Sequence, residues 1–506
     1  MGILSRKPIH ELVPDGEAKL ARTLGPVSLT MLGIGAIIGA GLFSTVGTAA
    51  AGGHGHVGAG PALVLSFVLT AVACCFAALC YAEFAAMVPI AGSAYTYAYA
   101  SFGELAAWII GWDLILEYAI ANVAVAISWS GYFQELLRGF GLALPAWIGT
   151  DYRTAHQAAI EVASGAPDLA PHVLRAAEAW NNAPHVGGIP LIFNLPAFTI
   201  VMIMTWVLVR GMKESAWLNS AMVALKLVII VFFLAVGAFY VKPENWTPFM
   251  PNGWGGVSSA AAIIFFAYIG FDAVSTAAEE TKNPARDMPI GILASLAVCT
   301  VLYILVALVL TGMVPYTTLG TAEPLASAFS SLGMNWTAGI ISLGAVFATT
   351  SVLVVFQMGQ PRIFFSMGRD GLLPHWAAKV HPKYQTPHIT TIITGVGVAC
   401  VAGFANINEI VELTNIGTLF AFVLVAIGII VLRRTDPDRP RSFKTPLVPL
   451  VPILAVLSCL YLMAQLPRIT WERFVLWLIL GLGVYFAYGH RRSRLKDAPQ
   501  NPNTGS

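Results

Sequence analysis

The chain has 506 residues, of which 57% are hydrophobic and only 11% charged, with a mean hydropathy of +0.74. Soluble domains carry about 25% charged residues, so this composition excludes a soluble globular protein and predicts an all-α polytopic membrane protein. The net charge of +2 decides little, and no nucleic-acid partner is expected.

Polar residues 1–26 precede the first apolar stretch and do not form a cleavable signal peptide. Twelve spans follow, at about 27–50, 61–88, 103–137, 195–209, 215–241, 257–280, 289–315, 335–366, 388–404, 408–432, 446–467 and 474–489. Gly92 to Ser101, with Tyr95, Tyr97 and Tyr99, reads as a short helix at the membrane surface. The third stretch exceeds one bilayer crossing and should tilt or project. Between it and the fourth lies the longest break, 138–194, with two surface-helix patterns at Thr154–Ser164 and Asp168–Asn181. Ala377–His381 reads as a short helix between the eighth and ninth spans, and the tail 490–506 is polar. All six cysteines (Cys74, Cys75, Cys80, Cys299, Cys400 and Cys459) lie in apolar stretches, so neither a disulfide framework nor a metal cluster is expected. His54-x-His56 reads as part of a solvated glycine-rich loop.

An even number of spans puts both termini on one side, and Lys and Arg choose it. With the termini inside, twenty of the 28 fall in cytoplasmic segments and six in outer ones, leaving Lys226 and Arg362 within spans. This bias satisfies the positive-inside rule. A multi-pass protein of the cell membrane with cytoplasmic termini is the expectation.

The chemistry concentrates in two interrupted spans. Gly33-Ile-Gly-Ala-Ile-Ile-Gly-Ala-Gly41 sits in the middle of the first. Glycine at Gly35 and Gly39 suits close helix packing, but four glycines also suit a helix that breaks at mid-membrane, where bare backbone groups must line an enclosed site. The sixth span carries a second interruption, Phe265-Phe-Ala-Tyr-Ile-Gly270-Phe-Asp272. Spans one and six lead two five-span halves, 27–241 and 257–432. Five is odd, so the halves form an inverted repeat, and paired broken helices in such repeats mark a secondary transporter with a midplane site. Half-helix N-termini suit a carboxylate, while half-helix carbonyls suit an ammonium group. A zwitterion such as an α-amino acid satisfies both.

These stretches resemble known signatures. Leu32-Gly-Ile-Gly-Ala-Ile-Ile-Gly-Ala-Gly-Leu-Phe43 resembles the first-span signature of the amino acid–polyamine–organocation superfamily. Tyr81-Ala-Glu83 through Pro89-Ile-Ala-Gly-Ser-Ala-Tyr95 is similar to its second-span ending, and Phe266 to Asp272 through Glu279-Glu280, Asn283-Pro284 and Arg286-Asp-Met-Pro289 to its sixth-span and loop signature. Within that superfamily the chain resembles bacterial relatives of the cationic amino acid transporters, over nearly all of 20–490. The resemblance implies that the spans in 446–489 lie outside the five-plus-five core. It also implies a substrate carboxylate at Ile37, Ala40 and Gly41, with Gly39 among the substrate-binding residues, and an amino group at the carbonyls of Phe266, Ala267 and Ile269. The Phe266 ring would form part of a gate, and Phe356 would help shape the side-chain pocket. A hydroxyl residue is common at the position of Ala40 in relatives.

Four charges lie within spans. Lys226, deep in the fifth, is either a lysine paired permanently with an acid or a proton carrier, because desolvation disfavours its charged form. Proton-coupled relatives hold a lysine there. Glu117 follows Asp113 by one helical turn, so both project from one face. They either form a polar face in a wet vestibule or, for Glu117, meet a basic substrate side chain or relay a proton. Asp272 caps the broken helix or takes part in transport directly, and Arg362 reads as an interfacial anchor. No motif pairs a nucleophile with a base, so an enzyme is not expected, and Glu279-Glu280 reads as part of a cytoplasmic gate beside Lys282 and Arg286. Two broken helices suggest a closed midplane site rather than a channel's continuous path. The expected function is proton-coupled import of cationic or broad-range L-amino acids by alternating access. A neutral amino acid or a polyamine is the alternative substrate. No cofactor is implied, and a small membrane subunit is left open.

Overall fold

The computed structural model describes residues 24–53, 56–87, 93–164, 171–211 and 216–492. The chain starts its first helix, α1 (Pro26–Ile37), with proline at the first position, where its missing N–H is no loss. Ile38 is extended and stops it. The chain re-enters helix through a widened π turn, Gly41–Thr45, that runs into α2 (Val46–Ala51). The two pieces meet at a bend of 43°, so the glycine stretch is a break and not only a packing motif.

After α3 (Leu63–Met87) comes α4 (Ser93–Ser101). Its Tyr95, Tyr97 and Tyr99 are all buried, and Tyr97 stacks on Phe84 with ring centroids 4.9 Å apart. The three rings offer more contact inside the bundle than at its edge, and α4 packs between α5 (Glu104–Gly139) and the later helix α15 (Ile407–Thr435). Gly92 lies outside the described residues. The 36 residues of α5 span about 54 Å at 1.5 Å each, more than the roughly 30 Å of a hydrocarbon core, as the length of the third stretch requires.

The α5 helix leads into the long insertion. There α6 (Tyr152–Ala163), capped by Asp151 accepting from the Thr154 N–H at 2.9 Å, packs on α7 (Pro171–Asn182). Small side chains, Ala155, Ala158, Ala176 and Ala179, fill the buried seam. Two antiparallel ladders of two residues each, Gly52–Gly53 with His56–Val57 and His185–Val186 with Ile189–Pro190, are the β structure among the described residues. His54 and residues 165–170 lie outside those residues.

The chain continues through α8 (Leu195–Arg210), α9 (Ala216–Gly237) and α10 (Gly253–Ile264). Here the sixth stretch breaks as expected: a tight turn, Phe265–Tyr268, then extended Ile269, then Gly270 at φ +121°. Glycine is required at 270, because only glycine adopts that angle without strain and a Cβ there would lie 2.8 Å from the Ala36 backbone. A 3₁₀ helix, Asp272–Glu280, completes the stretch. There follow α11 (Pro284–Met313), α12 (Pro324–Ser331), α13 (Asn335–Arg369), α14 (His388–Phe404), α15, α16 (Leu450–Ala464) and α17 (Arg468–Val484). Where a helix was expected at Ala377–His381 there is a short 3₁₀ turn, His375–Ala378.

Among the described residues, seven helices are long and apolar enough to cross a membrane. The bent α1–α2 pair is a further candidate, and four apolar helices are shorter. The broken pieces sit at the centre, with α1 against α11 and α9, and α5 clasped between α13 and α15.

Candidate functional site

The two breaks meet backbone to backbone. A Cβ on Gly41 would lie 2.2 Å from the Ala267 Cα, so the glycine is what lets the first span touch the sixth. Ile37, Gly39, Ala40, Gly41, Phe266, Ala267 and Ile269 are all buried at this junction. The geometry therefore brings together every backbone position expected to hold an amino acid. In the helix restarting at Gly41 the N–H groups of Leu42 and Phe43 both reach the Gly39 carbonyl at 3.1 Å, and the positive end of that helix suits an anion.

Buried bare carbonyls need donors, and two residues that the sequence reading did not single out supply them. Tyr303 of α11 places its hydroxyl 3.0 Å from the Ile37 carbonyl and 2.9 Å from that of Ala267. One phenolic proton thus serves both breaks. Its ring is held by Phe67 and Tyr268, with centroids 5.4 and 5.5 Å away. Asn415 of α15 donates from Nδ2 to the Ala262 carbonyl at 2.7 Å and the Ile263 carbonyl at 3.0 Å, where α10 runs out. An asparagine in the middle of an apolar run was the available signal; for Tyr303 there was none, since tyrosine is ordinary in such helices.

Asp272 accepts the Gly270 N–H at 3.2 Å, in the turn just ahead of the 3₁₀ helix that it begins. Lys226 lies on the far side of the first span. It is 1% exposed, and its Nζ donates to the Gly35 carbonyl at 2.7 Å. The partner is a backbone carbonyl one turn ahead of the break, where an acid was one of the two expectations. Gly35 tops α1 just where the helix needs a donor for its last carbonyls.

The side-chain end of the site is acidic on one wall and apolar on another. Glu117 is buried on α5, near Thr418 of α15. Asp113, one turn earlier and fully buried against Gly417, has no hydrogen-bond partner on either oxygen among the described residues. Asp272 and Asp113 both act on Glu117 electrostatically. Facing them is α13, where Val352 packs over Gly39 and Phe356 meets Tyr118 edge to face at 5.7 Å. Arg362, further along α13, is exposed.

Hydrogen bonds link the elements on both approaches to the junction. On the insertion side, the Ser44 hydroxyl bridges Ser128 and the Ala322 carbonyl, and Tyr132 donates to the Phe43 carbonyl. On the other side, Leu24 is hydrogen-bonded to Glu280 and Lys282 through backbone groups at 3.0 and 2.9 Å. There too the Tyr95 hydroxyl donates to Asp370 at 2.7 Å. Neither Pro89 to Gly92 nor the Glu279 side chain belongs to the described residues. A cavity of about 590 Å³ lies outside the junction on the insertion side, against Thr48 and Ala51.

Known proteins share this chain from end to end. Residues 24–484 match the sequence profile of the family described as amino acid permease. The chain is 49% identical to the branched-chain amino acid permease BcaP of Bacillus subtilis over 98% of its own length and 99% of the relative's. It is 47% identical to the methylthioribose transporter of the same organism, over 97% and 99%. It is also 36% identical to the vacuolar cationic amino acid transporter 4 of Arabidopsis thaliana, over 85% and 66%. With its broken helices buried against each other and this match along nearly its whole length, the chain belongs to the amino acid permease family of the amino acid–polyamine–organocation superfamily.

Proposed function

We propose that the protein imports L-amino acids, cationic or of broad range, by proton-coupled alternating access. It would work in the cell membrane with both termini in the cytoplasm. The observation that carries this reading is the 2.7 Å bond from Lys226 to Gly35: a buried ammonium fastened to the segment that must rock for the site to change sides. Protonated, the lysine holds the first span; deprotonated, it lets go. The seven long helices, the bent pair and the four shorter apolar ones together make twelve crossings, and 27–241 and 257–432 then form an inverted five-plus-five repeat with 446–489 outside it.

In the proposed pose the substrate carboxylate takes the N–H groups at Gly39, Ala40 and Gly41. Its ammonium group takes carbonyls of the second break, beside Tyr303. Glu117 supports the cationic part of the range, because a buried carboxylate at the side-chain end favours arginine or lysine. A second reading, a neutral branched-chain substrate, is favoured by the wall of Val352, Phe356 and Tyr118 and by the relative that is 49% identical. A polyamine has no carboxylate for the first break.

Proteoliposome uptake of labelled arginine and labelled leucine, each challenged with alanine, lysine, methylthioribose and putrescine, separates these readings. Competition by the amino acids and not by putrescine or methylthioribose is the expected result. Inhibition by methylthioribose with none by any amino acid would contradict it.

A further inference from the structure

We propose that the 590 Å³ cavity on the insertion side is a second recognition site, which holds a zwitterionic amino acid with its carboxylate toward Arg138 and Arg175 and its ammonium group toward Glu323. The proposal rests on the permease reading above and assigns the insertion a role in it. Small-molecule sites occupy about 300–1,000 Å³, so the space suits one amino acid with its waters. Three separate parts of the chain build it: the end of α2 and the face of α5 as floor and wall, α6 and α7 as roof, and the segment Thr317–Glu323 as the opposite wall.

Its lining carries charges of both signs: Arg138 and Arg175 against Asp151, Glu161 and Glu323. Glu323 is 9% exposed, and its carboxylate stands directly over Gly131 of α5, where a Cβ would come within 2.7 Å of Oε2. Burial pushes its carboxyl above the ordinary range, Arg138 draws it back down, Glu135 raises it again and Arg175 lowers it further. Arg138 is held from α5 by Glu135, which also accepts from Ser330, so its guanidinium is fixed in place. Arg175 projects from α7 and is exposed. A purely cationic ligand would meet two arginines and a purely anionic one a buried carboxylate, whereas a zwitterion answers both. Burial pulls the His172 imidazole below its usual range, Arg175 adds to this and Glu161 works against it.

The cavity is also joined to the seal beneath it. Glu323 follows Ala322 in the chain, and the Ala322 carbonyl takes the Ser44 hydroxyl that closes the insertion side of the first span. An ammonium group seated on Glu323 therefore acts on the segment that carries the latch.

The test is equilibrium binding of labelled leucine and labelled arginine to the purified full chain, with the permease reading checked separately by wild-type uptake. The expected stoichiometry at saturation is two ligands per chain, one tight and one weaker. Glu323→Gln and Arg175→Gln should each lose the weaker ligand, shifting its apparent affinity tenfold or more, while the tight one stays. Arg175 is exposed, so its substitution leaves a folded chain even if the Glu323 variant does not. A single ligand per wild-type chain, or two ligands with unchanged affinities in Arg175→Gln, overturns the second site while leaving uptake intact. Absence of wild-type uptake counts against the permease reading instead.

Discussion

The junction of the two breaks rests on single residues, and each gives a different response to change. Gly41 and Gly39 look alike in the sequence, yet a methyl group at Gly41 would strike the Ala267 backbone at 2.2 Å, whereas one at Gly39 would meet the movable side chain of Val352 at 3.0 Å. Gly41→Ala should therefore lower thermal stability by about 1–3 kcal/mol, as overpacking does, and abolish uptake; Gly39→Ala should do neither strongly. Equal effects in a thermal-shift and uptake assay would mean that the breaks do not meet in the working protein. Tyr303→Phe removes one hydroxyl and leaves two buried carbonyls short of a donor, a loss of about 1–3 kcal/mol readable in the same assay. For Glu117→Gln the expected signature is selectivity: arginine uptake falls more than leucine uptake, by about 1–3 kcal/mol for a partly desolvated charge. Uniform losses would assign the carboxylate to structure or to proton relay. At this scale the break of the first span was legible, because glycines crowded into one apolar run weaken a regular helix at that point. Tyr303 was not, because only the fold brings a helix from further along the chain against both breaks.

At the scale of elements, the pattern of apolar stretches located the helices well and their surroundings less well. Hydropathy reports length and composition. It does not report whether a short aromatic helix buries its rings in the bundle, as α4 does. The last helix shows the same limit. Its sequence reads as a lone apolar stretch, yet the indoles of Trp112 and Trp477 donate to each other's carbonyls at 2.9 and 3.2 Å, and their rings stack at 4.6 Å. Trp108 adds a bond to the Gly481 carbonyl at 2.9 Å. A side chain at 481 would strike Trp112 at 2.4 Å. Gly481→Leu should thus undock α17 and lower the melting temperature by several degrees, while uptake per folded molecule stays near wild type, since this seam is remote from the breaks. Loss of uptake without loss of stability would place α17 in the transport cycle.

For the whole molecule the question is what drives the cycle. Hydroxyl-to-carbonyl links cross one side of the junction and backbone pairing with Leu24 crosses the other. Lys226 touches the first span between them. The most direct test is accumulation of labelled substrate in proteoliposomes under an imposed proton gradient, acid outside. Wild type should accumulate under the proton gradient and ignore a sodium gradient, whereas Lys226→Met should bind substrate yet lose accumulation. Gradient-driven accumulation that survives in Lys226→Met would contradict the account and leave the lysine as a structural donor to Gly35.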